Sequence, residues 1–310
     1  MGEIVELLQM TTCACAVGMA TAEGIRAVFR KFVKSRPGVA NSIQDYLSDF
    51  VNTALSAFIL VVCTFEKALT LWGDFRMTFF IFTFFLCIFF FFVFSSYAPS
   101  PCQPLEDHWH KISQSSANLV NQGSIKKSSP SLLTRFRLPV STYVQHGFST
   151  ILGLGVGLVA GTQWLKFFWD GFMTSHHMTQ LPVLDQCLDC LNTSLFMGIL
   201  IEASVTFFYL FFFAFVETRI PSQEVGKESL RRKLFKNSLK SIAVVLGTYL
   251  FMDITGSFAN PFLAYVLQRN CLNDVTSAFN FTIVYVIGPF LGTAAYMFWR
   301  GSKKEAKYSV

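Results

Sequence analysis

Six stretches of this chain are apolar over the length that a helix needs to cross a lipid bilayer, and they constrain the fold more than any other feature. They cover about 47–69, 77–96, 141–168, 195–216, 237–254 and 281–299. A bilayer core needs about 20 apolar residues per helix, and helices satisfy their own backbone polar groups there. Only 14% of the residues are charged, against about 25% in soluble domains. The sequence therefore predicts an all-α membrane protein with six transmembrane helices in a single domain, residues 1–310.

A seventh, weaker apolar segment lies at the N-terminus, over about 4–28. It contains Glu6 and Glu23 together with many small residues. A spanning helix, an interfacial helix and a helix packed on the bundle all remain open for this extra hydrophobic segment. A cleaved signal peptide is disfavoured because Glu3 and Glu6 stand where positive charge is expected.

The basic residues are clustered in the connections between the apolar segments. Four stretches hold 20 of the 25 Lys and Arg residues, namely 30–36, 111–137, 219–240 and 300–307. The positive-inside rule places these on the cytoplasmic side, and with them the tail 301–310. The connections 70–76 and 169–194 then face the exterior or a lumen, where Asn192 begins a glycosylation sequon. We interpret the basic patches as topology signals and lipid contacts, and we expect no nucleic acid partner.

Three cysteines are predicted on the non-cytoplasmic side. Because that side is oxidising, a disulfide between Cys271 and either Cys187 or Cys190 is possible. A metal site built from Cys187 and Cys190 together with His176 and His177 has suitable ligand types. It is the less favoured alternative because the spacing between the pairs is short, and we expect no metal and no cofactor.

Two similar tripeptides, Ser100-Pro101-Cys102 and Asn260-Pro261-Phe262, follow long apolar segments in the two halves of the chain. A polar cap followed by Pro at the first helical position is a helix-start signal. Each tripeptide therefore predicts a helix N-terminus inside or beside the membrane. A pair of such starts in a repeated membrane protein is typical of a site near the bilayer midplane.

Two acids repeat in the same way. Asp49 and Glu202 lie in the first and fourth long segments, and each is followed by threonine four residues later. Acids inside a membrane are costly, so we expect both to face the protein interior and find partners in a paired structural role. Equivalent elements of the two repeats are separated by three membrane-spanning helices. Because three is an odd number, the second repeat, 195–300, is expected to be inverted in the membrane relative to the first, 45–168.

These residues resemble the aquaporin family over about 45–300. In that family each half carries an acid with Thr four residues later, then a half-helix that starts at an Asn-Pro-Ala box. The resemblance implies six transmembrane helices with two re-entrant half-helices in inverted repeats, a homotetramer, and no enzymatic activity. A further glycine-proline pair, Gly288-Pro289, in the last helix also looks like the family.

Three features resemble the unorthodox subfamily called superaquaporins. Cys271 lies nine residues after Phe262, Cys102 closes the first box, and Leu263 stands where most aquaporins have Arg. The resemblance implies an intracellular membrane, often the endoplasmic reticulum, with the plasma membrane still open.

The first box departs further from the family than the second. Ser100 replaces Asn, and a single hydroxyl cannot both cap a helix and donate to a solute as freely as the Asn260 amide. A plain helix cap and a pore-lining role for Ser100 both remain open. The segment after it contains Pro104 and is made polar by Glu106, Asp107, His108 and His110.

Family spacing implies four constriction residues, Ser257, Leu263, Phe80 and Thr248. Such a constriction has no fixed charge. We expect a passive channel for water or small neutral solutes such as glycerol and hydrogen peroxide. The alternative is a membrane structural or interaction protein whose pore is closed, which Phe262 and Pro104 favour. A secondary transporter is the least favoured reading.

Five glycines are spaced by four in two of the apolar segments: Gly153, Gly157, Gly161, Gly288 and Gly292. Small residues at this spacing let helices approach closely, so we expect them to pack. A nucleotide site is disfavoured, because Gly153-x-Gly155-x-Gly157 lies inside an apolar segment without the strand and acid that such a site needs.

Overall fold

The computed structural model describes residues 2–34, 41–72, 76–94, 100–102, 140–172, 174–175, 177–178, 187, 189–220 and 229–308. Within these ranges the chain is helical, without a strand. The helices are α1 (Gly2–Lys34), α2 (Asn41–Trp72), α3 (Arg76–Phe94), α4 (Val140–Phe172), α5 (Leu195–Arg219), α6 (Leu230–Thr255), α7 (Pro261–Gln268), α8 (Val275–Phe281) and α9 (Gly288–Tyr308). A π-helical segment, Thr282–Ile287, joins α8 to α9. The polar segment from Pro104 to His110 and His176 lie outside the described residues.

Six helices in the described part of the chain are long and apolar enough to cross a membrane. This is the character of a multi-pass membrane protein. The set differs from the predicted six at two places. The N-terminal stretch Val5–Phe32 qualifies despite its two acids, whereas α3 offers only the shorter apolar stretch Arg76–Phe92. At 1.5 Å per residue, the 19 residues of α3 still extend about 28 Å.

The helices pair in two similar sets. In the first half α2 packs against α4 and α3, and in the second half α5 packs against α9 and α6. The two sets join where α3 packs against α6, and α7 lies against α2. The N-terminal helix α1 covers α2 and touches α4.

Close glycine contacts hold the α2–α4 and α5–α9 pairs together. A Cβ atom placed on Gly153 would lie 2.9 Å from the Cβ of Thr53, and one on Gly292 would lie 2.9 Å from the Cβ of Thr206. Gly157, Gly161 and Gly288 make similar close approaches to the facing helix. The prediction that these five glycines pack is confirmed. Both threonines are those that follow the repeated acids.

The main core lies between α1, α2, α4 and α7. Its buried members include Ile59 and Val62 of α2, Leu165 of α4, and Phe262 and Val266 of α7. The large ring of Phe262 therefore fills space between helices, and α7 is anchored by apolar packing on α2.

A disulfide joins Cys187 to Cys271 across 84 residues of sequence. The sequence left both Cys187 and Cys190 open as partners, and the structure selects Cys187. Cys190 remains a thiol, and burial raises its pKa to about 11. The alternative metal site loses Cys187 as a ligand, and within the described residues no group of three or more His, Cys, Asp or Glu side chains could hold a metal.

Candidate functional site

The segment between α6 and α7 has an unusual backbone. Gly256 ends α6 with φ of 80°, which glycine adopts readily. Ser257 and Ala259 have φ of 51° and 50°. Residues with a side chain adopt this left-handed region rarely, and such strain persists only where the surroundings impose it. Residues 256–260 must therefore be held by their neighbours.

The carboxylate of Glu202 holds this segment. Glu202 is completely buried. It accepts hydrogen bonds from the Ala259 N–H at 2.7 Å, the Thr255 hydroxyl at 2.7 Å and the Phe258 N–H at 3.3 Å. A buried acceptor without hydrogen-bond partners is costly, so these three hydrogen bonds stabilise the buried carboxyl group. The acid on α5 thereby fixes the path of the chain from α6 to α7.

Two hydroxyls add to this support. Thr206 donates to the carbonyl of Glu202 at 2.7 Å and lies 3.4 Å from the carbonyl oxygen of Ala259. Ser257 donates to the carbonyl of Gly247 on α6 at 3.0 Å. The acid and the threonine of the second repeat thus act on the same segment.

The two tripeptides make the same side-chain to backbone hydrogen bond. The Asn260 side-chain oxygen accepts from the Phe262 N–H at 3.0 Å, and the Ser100 hydroxyl accepts from the Cys102 N–H at 3.2 Å. Ser100, Cys102 and Asn260 all line one cavity. The structure therefore brings the two tripeptides together, although they are 160 residues apart. Phe262 is excluded from this cavity by its packing on α2.

This first cavity has a volume of about 200 Å³ and lies between α2, α3, α5, α6 and the 257–260 segment. A second cavity of about 310 Å³ lies beside Arg76, Asp189 and Asp253. Roughly 10–15 Å³ of such space is enough for one water molecule. Each cavity is therefore large enough for several waters.

The two cavities meet at a shared wall. The side chains that line both are Lys67, Thr248, Ser257, Phe258 and Leu263. We call these five residues the junction. Three of the four predicted constriction residues, Thr248, Ser257 and Leu263, belong to it.

Phe80 does not belong to the junction and lines neither cavity, unlike the other three predicted constriction residues. Its ring packs on those of Phe79 and Tyr249, at centroid distances of 5.3 and 5.4 Å. The face of α3 that lines the cavities contains Phe79, Thr83 and Cys87, at the spacing of four expected for one helical face. Phe80 lies one position away and therefore about 100° around the helix.

Lys67 is a candidate functional residue that the sequence interpretation did not include, and it lines both cavities. Family spacing placed no cation at the constriction, so the lysine was not considered. An ionisable residue inside an apolar segment is by default a functional-site candidate. That signal was present in the sequence, since Lys67 lies near the end of the first long segment.

The predicted burial of Asp49 is also corrected. Asp49 is exposed near the start of α2, and the buried acid of that helix is Glu66. Glu66 accepts a hydrogen bond from the Trp169 indole at 2.8 Å, and its carboxylate lies 3.5 Å from the His177 ring nitrogen. Glu66 is likewise followed by threonine four residues later. The motif alone could not distinguish the two acids.

The amide of Asn192, the predicted glycosylation acceptor, contacts the end of α6. Its nitrogen donates to the Asp253 carbonyl at 3.0 Å, and its backbone N–H donates to the Ile254 carbonyl at 2.9 Å. Asp253 in turn pairs with Arg76 of α3 at 3.2 Å. Asn192 therefore has a structural role at the rim of the second cavity.

Comparisons with protein-family models, curated proteins and solved structures find no match to this chain.

Proposed function

We propose that this chain is a passive membrane channel for water or small neutral solutes, such as glycerol and hydrogen peroxide. The observation that carries the proposal is the junction at which two cavities meet. A solute that crosses from one cavity to the other must pass Thr248, Ser257 and Leu263. Hydroxyl groups beside apolar walls suit small neutral molecules that form hydrogen bonds.

We further propose an aquaporin-like architecture with inverted repeats and re-entrant half-helices. Three similarities between the halves support it. The helix pairs α2–α4 and α5–α9 correspond. In each pair a Cβ atom added to one glycine would lie 2.9 Å from the Cβ of the threonine of the repeated motif. Both tripeptides make the same side-chain to backbone hydrogen bond. A homotetramer in an intracellular membrane, such as the endoplasmic reticulum, is the assembly we propose on the same resemblance.

The N-terminus of α7 contributes to the first cavity. Asn260 lines that cavity while its oxygen caps the helix. The N-terminal end of a helix carries about half a positive charge from its aligned peptide dipoles. In the proposed channel this partial charge orients water oxygen atoms toward α7 and opposes the passage of cations.

Flux measurements on purified protein in liposomes test the proposal. Wild-type liposomes should exchange water, glycerol or hydrogen peroxide faster than empty liposomes. Thr248→Trp should reduce this flux at least about tenfold, because a bulky ring fills the junction. Tyr249→Trp is the matched control, since Tyr249 is the next residue of α6, is 64% exposed and does not line the cavities.

The closed-pore alternative is one outcome of the same experiment. If wild-type liposomes are no faster than empty ones for any of these solutes, the channel proposal is wrong. A Ser100→Asn, Phe262→Ala double variant that then gains flux would identify a structural protein with a closed pore.

A further inference from the structure

We propose that Lys67 determines the charge selectivity of the junction by excluding cations from the path between the two cavities. This inference rests on the proposed channel function and assigns a role to a residue outside the two tripeptides. Its starting point is that the Lys67 side chain lines both cavities. A solute that moves between the cavities therefore passes this side chain.

The residues of α2 that line the first cavity lie on one helical face. They are Leu60, Cys63, Thr64 and Lys67, spaced by three, one and three residues. Glu66 lies on a different face of the helix, where it contacts Trp169 and His177. Neither of these two residues lines the first cavity. The helix register thus separates two adjacent residues of opposite charge, and it turns the lysine toward the solute path.

The charge distribution of the first cavity supports a selective role. Among its described lining residues, Lys67 carries the formal charge, and none of them has a carboxylate. The other lining residues of known position are apolar, hydroxyl, thiol or amide side chains. The second cavity is different, because Asp189 and Asp253 lie there with Arg76. The formal charge at the first cavity is therefore positive, and it is placed at the junction.

A neighbouring ring contributes to the position of the ammonium group. The Lys67 nitrogen lies 5.4 Å from the ring centroid of Phe79 on α3. This is within the distance at which a cation is attracted to an aromatic face. Phe79 also lines the second cavity, so α2 and α3 together locate the charge beside the path.

The consequence is a charged barrier in a constriction where Leu263 supplies none. Two like charges a few ångströms apart repel strongly when little water screens them. Neutral solutes do not experience this repulsion, and the ammonium can donate hydrogen bonds to their oxygen atoms. Cations, including sodium ions and hydrated protons, are excluded.

The test compares Lys67→Met and Lys67→Arg with the wild type in liposomes, each assayed for glycerol flux and for sodium and proton leakage. Methionine keeps the length and the apolar stem without the charge. Lys67→Met should raise the ratio of cation leakage to glycerol flux at least about tenfold. Lys67→Arg should exclude cations as the wild type does. The matched control is Lys166→Met, because Lys166 is exposed on α4 and lines neither cavity.

The outcomes separate this inference from the proposed function. If both the wild type and Lys67→Met conduct glycerol and both show equally low cation leakage, the role of Lys67 is wrong. The proposed channel function is not affected by that result. Absence of water, glycerol and peroxide flux in the wild type overturns the channel and this inference with it. If Lys67→Met fails to fold, the Lys67→Gln variant, which is polar and uncharged, replaces it with the same expectations.

Discussion

The carboxylate of Glu202 accepts the N–H of Ala259 at 2.7 Å, across 57 residues of sequence. Ala259 has a left-handed backbone conformation that a residue with a side chain seldom adopts. The carboxylate stabilises this conformation because it offers two oxygens to a segment with three donors. A buried acid on one helix thus places Asn260 at the wall of the first cavity.

Substitution of Glu202 is expected to destabilise the protein. Glu202→Gln keeps the size of the side chain but replaces one acceptor oxygen with an NH2 donor, which faces the donors of residues 255–259. A buried donor or acceptor left without a partner costs about 1–3 kcal/mol. The thermal unfolding midpoint in detergent should fall, and flux should fall with it.

The control for this change is Glu6→Gln, because Glu6 is exposed on α1. It should leave the midpoint unchanged. Asp49→Asn should have a smaller effect than Glu202→Gln, since Asp49 is exposed. Equal effects at Asp49 and Glu202 would show that the two acids have equivalent roles after all.

The glycine contacts predict a large difference between two neighbouring positions of α4. Gly153→Ala brings a methyl group against Thr53, and overpacking of this kind costs about 1–3 kcal/mol. Gly155→Ala meets nothing within 4 Å and should stabilise the helix by up to about 1 kcal/mol. Unfolding midpoints measured in the same detergent test both. A neutral Gly153→Ala variant would contradict the close α2–α4 packing.

Removal of the disulfide should destabilise the end of the bundle at which it lies. Cys187→Ser or Cys271→Ser should lower stability by about 2–4 kcal/mol, because the bridge constrains a long loop of the unfolded chain. Cys190→Ser is the control. Mass spectrometry of the alkylated, unreduced protein should find Cys190 as a thiol and the other two cysteines linked. Full alkylation of Cys187 without reductant would refute the assignment.

The thiol of Cys190, which is not part of the disulfide, should react slowly at neutral pH. Burial raises its pKa to about 11, and the thiolate is the reactive form. Its alkylation rate in the folded protein should therefore rise steadily with pH up to about 11. A rate that levels off near pH 9, the ordinary range for a thiol, would contradict the burial.

Thiol reagents offer a separate test of the first cavity. Cys63, Cys87 and Cys102 all line it. A small neutral maleimide that enters the cavity should inhibit flux by occupying the path. The triple serine variant at these three positions should resist inhibition, whereas Cys13→Ser, which removes an exposed thiol of α1, should not. Inhibition of the triple variant would place the reactive thiol elsewhere.

The sequence predicted the helical class, most of the apolar segments and the packing role of the spaced glycines. These features follow from local composition and periodicity, which act over a few helical turns. It was less successful where two candidates had the same local pattern. Asp49 and Glu66 both precede a threonine by four residues, and Phe79 and Phe80 are adjacent phenylalanines. Family spacing could not distinguish them because it does not fix the rotation of a helix in the bundle.

The apolar segments by themselves determined that this chain forms membrane helices. In a bilayer core the backbone N–H and C=O groups find no water, and an apolar segment of about 20 residues satisfies them internally as a helix. Only the tertiary structure decided which side chains face the cavities. The rotation of α2 turns Lys67 to the junction and Glu66 to Trp169, and the packing of α7 on α2 buries Phe262. These orientations depend on packing contacts between residues that are far apart in sequence. A local sequence pattern carries no information about the energies of such contacts.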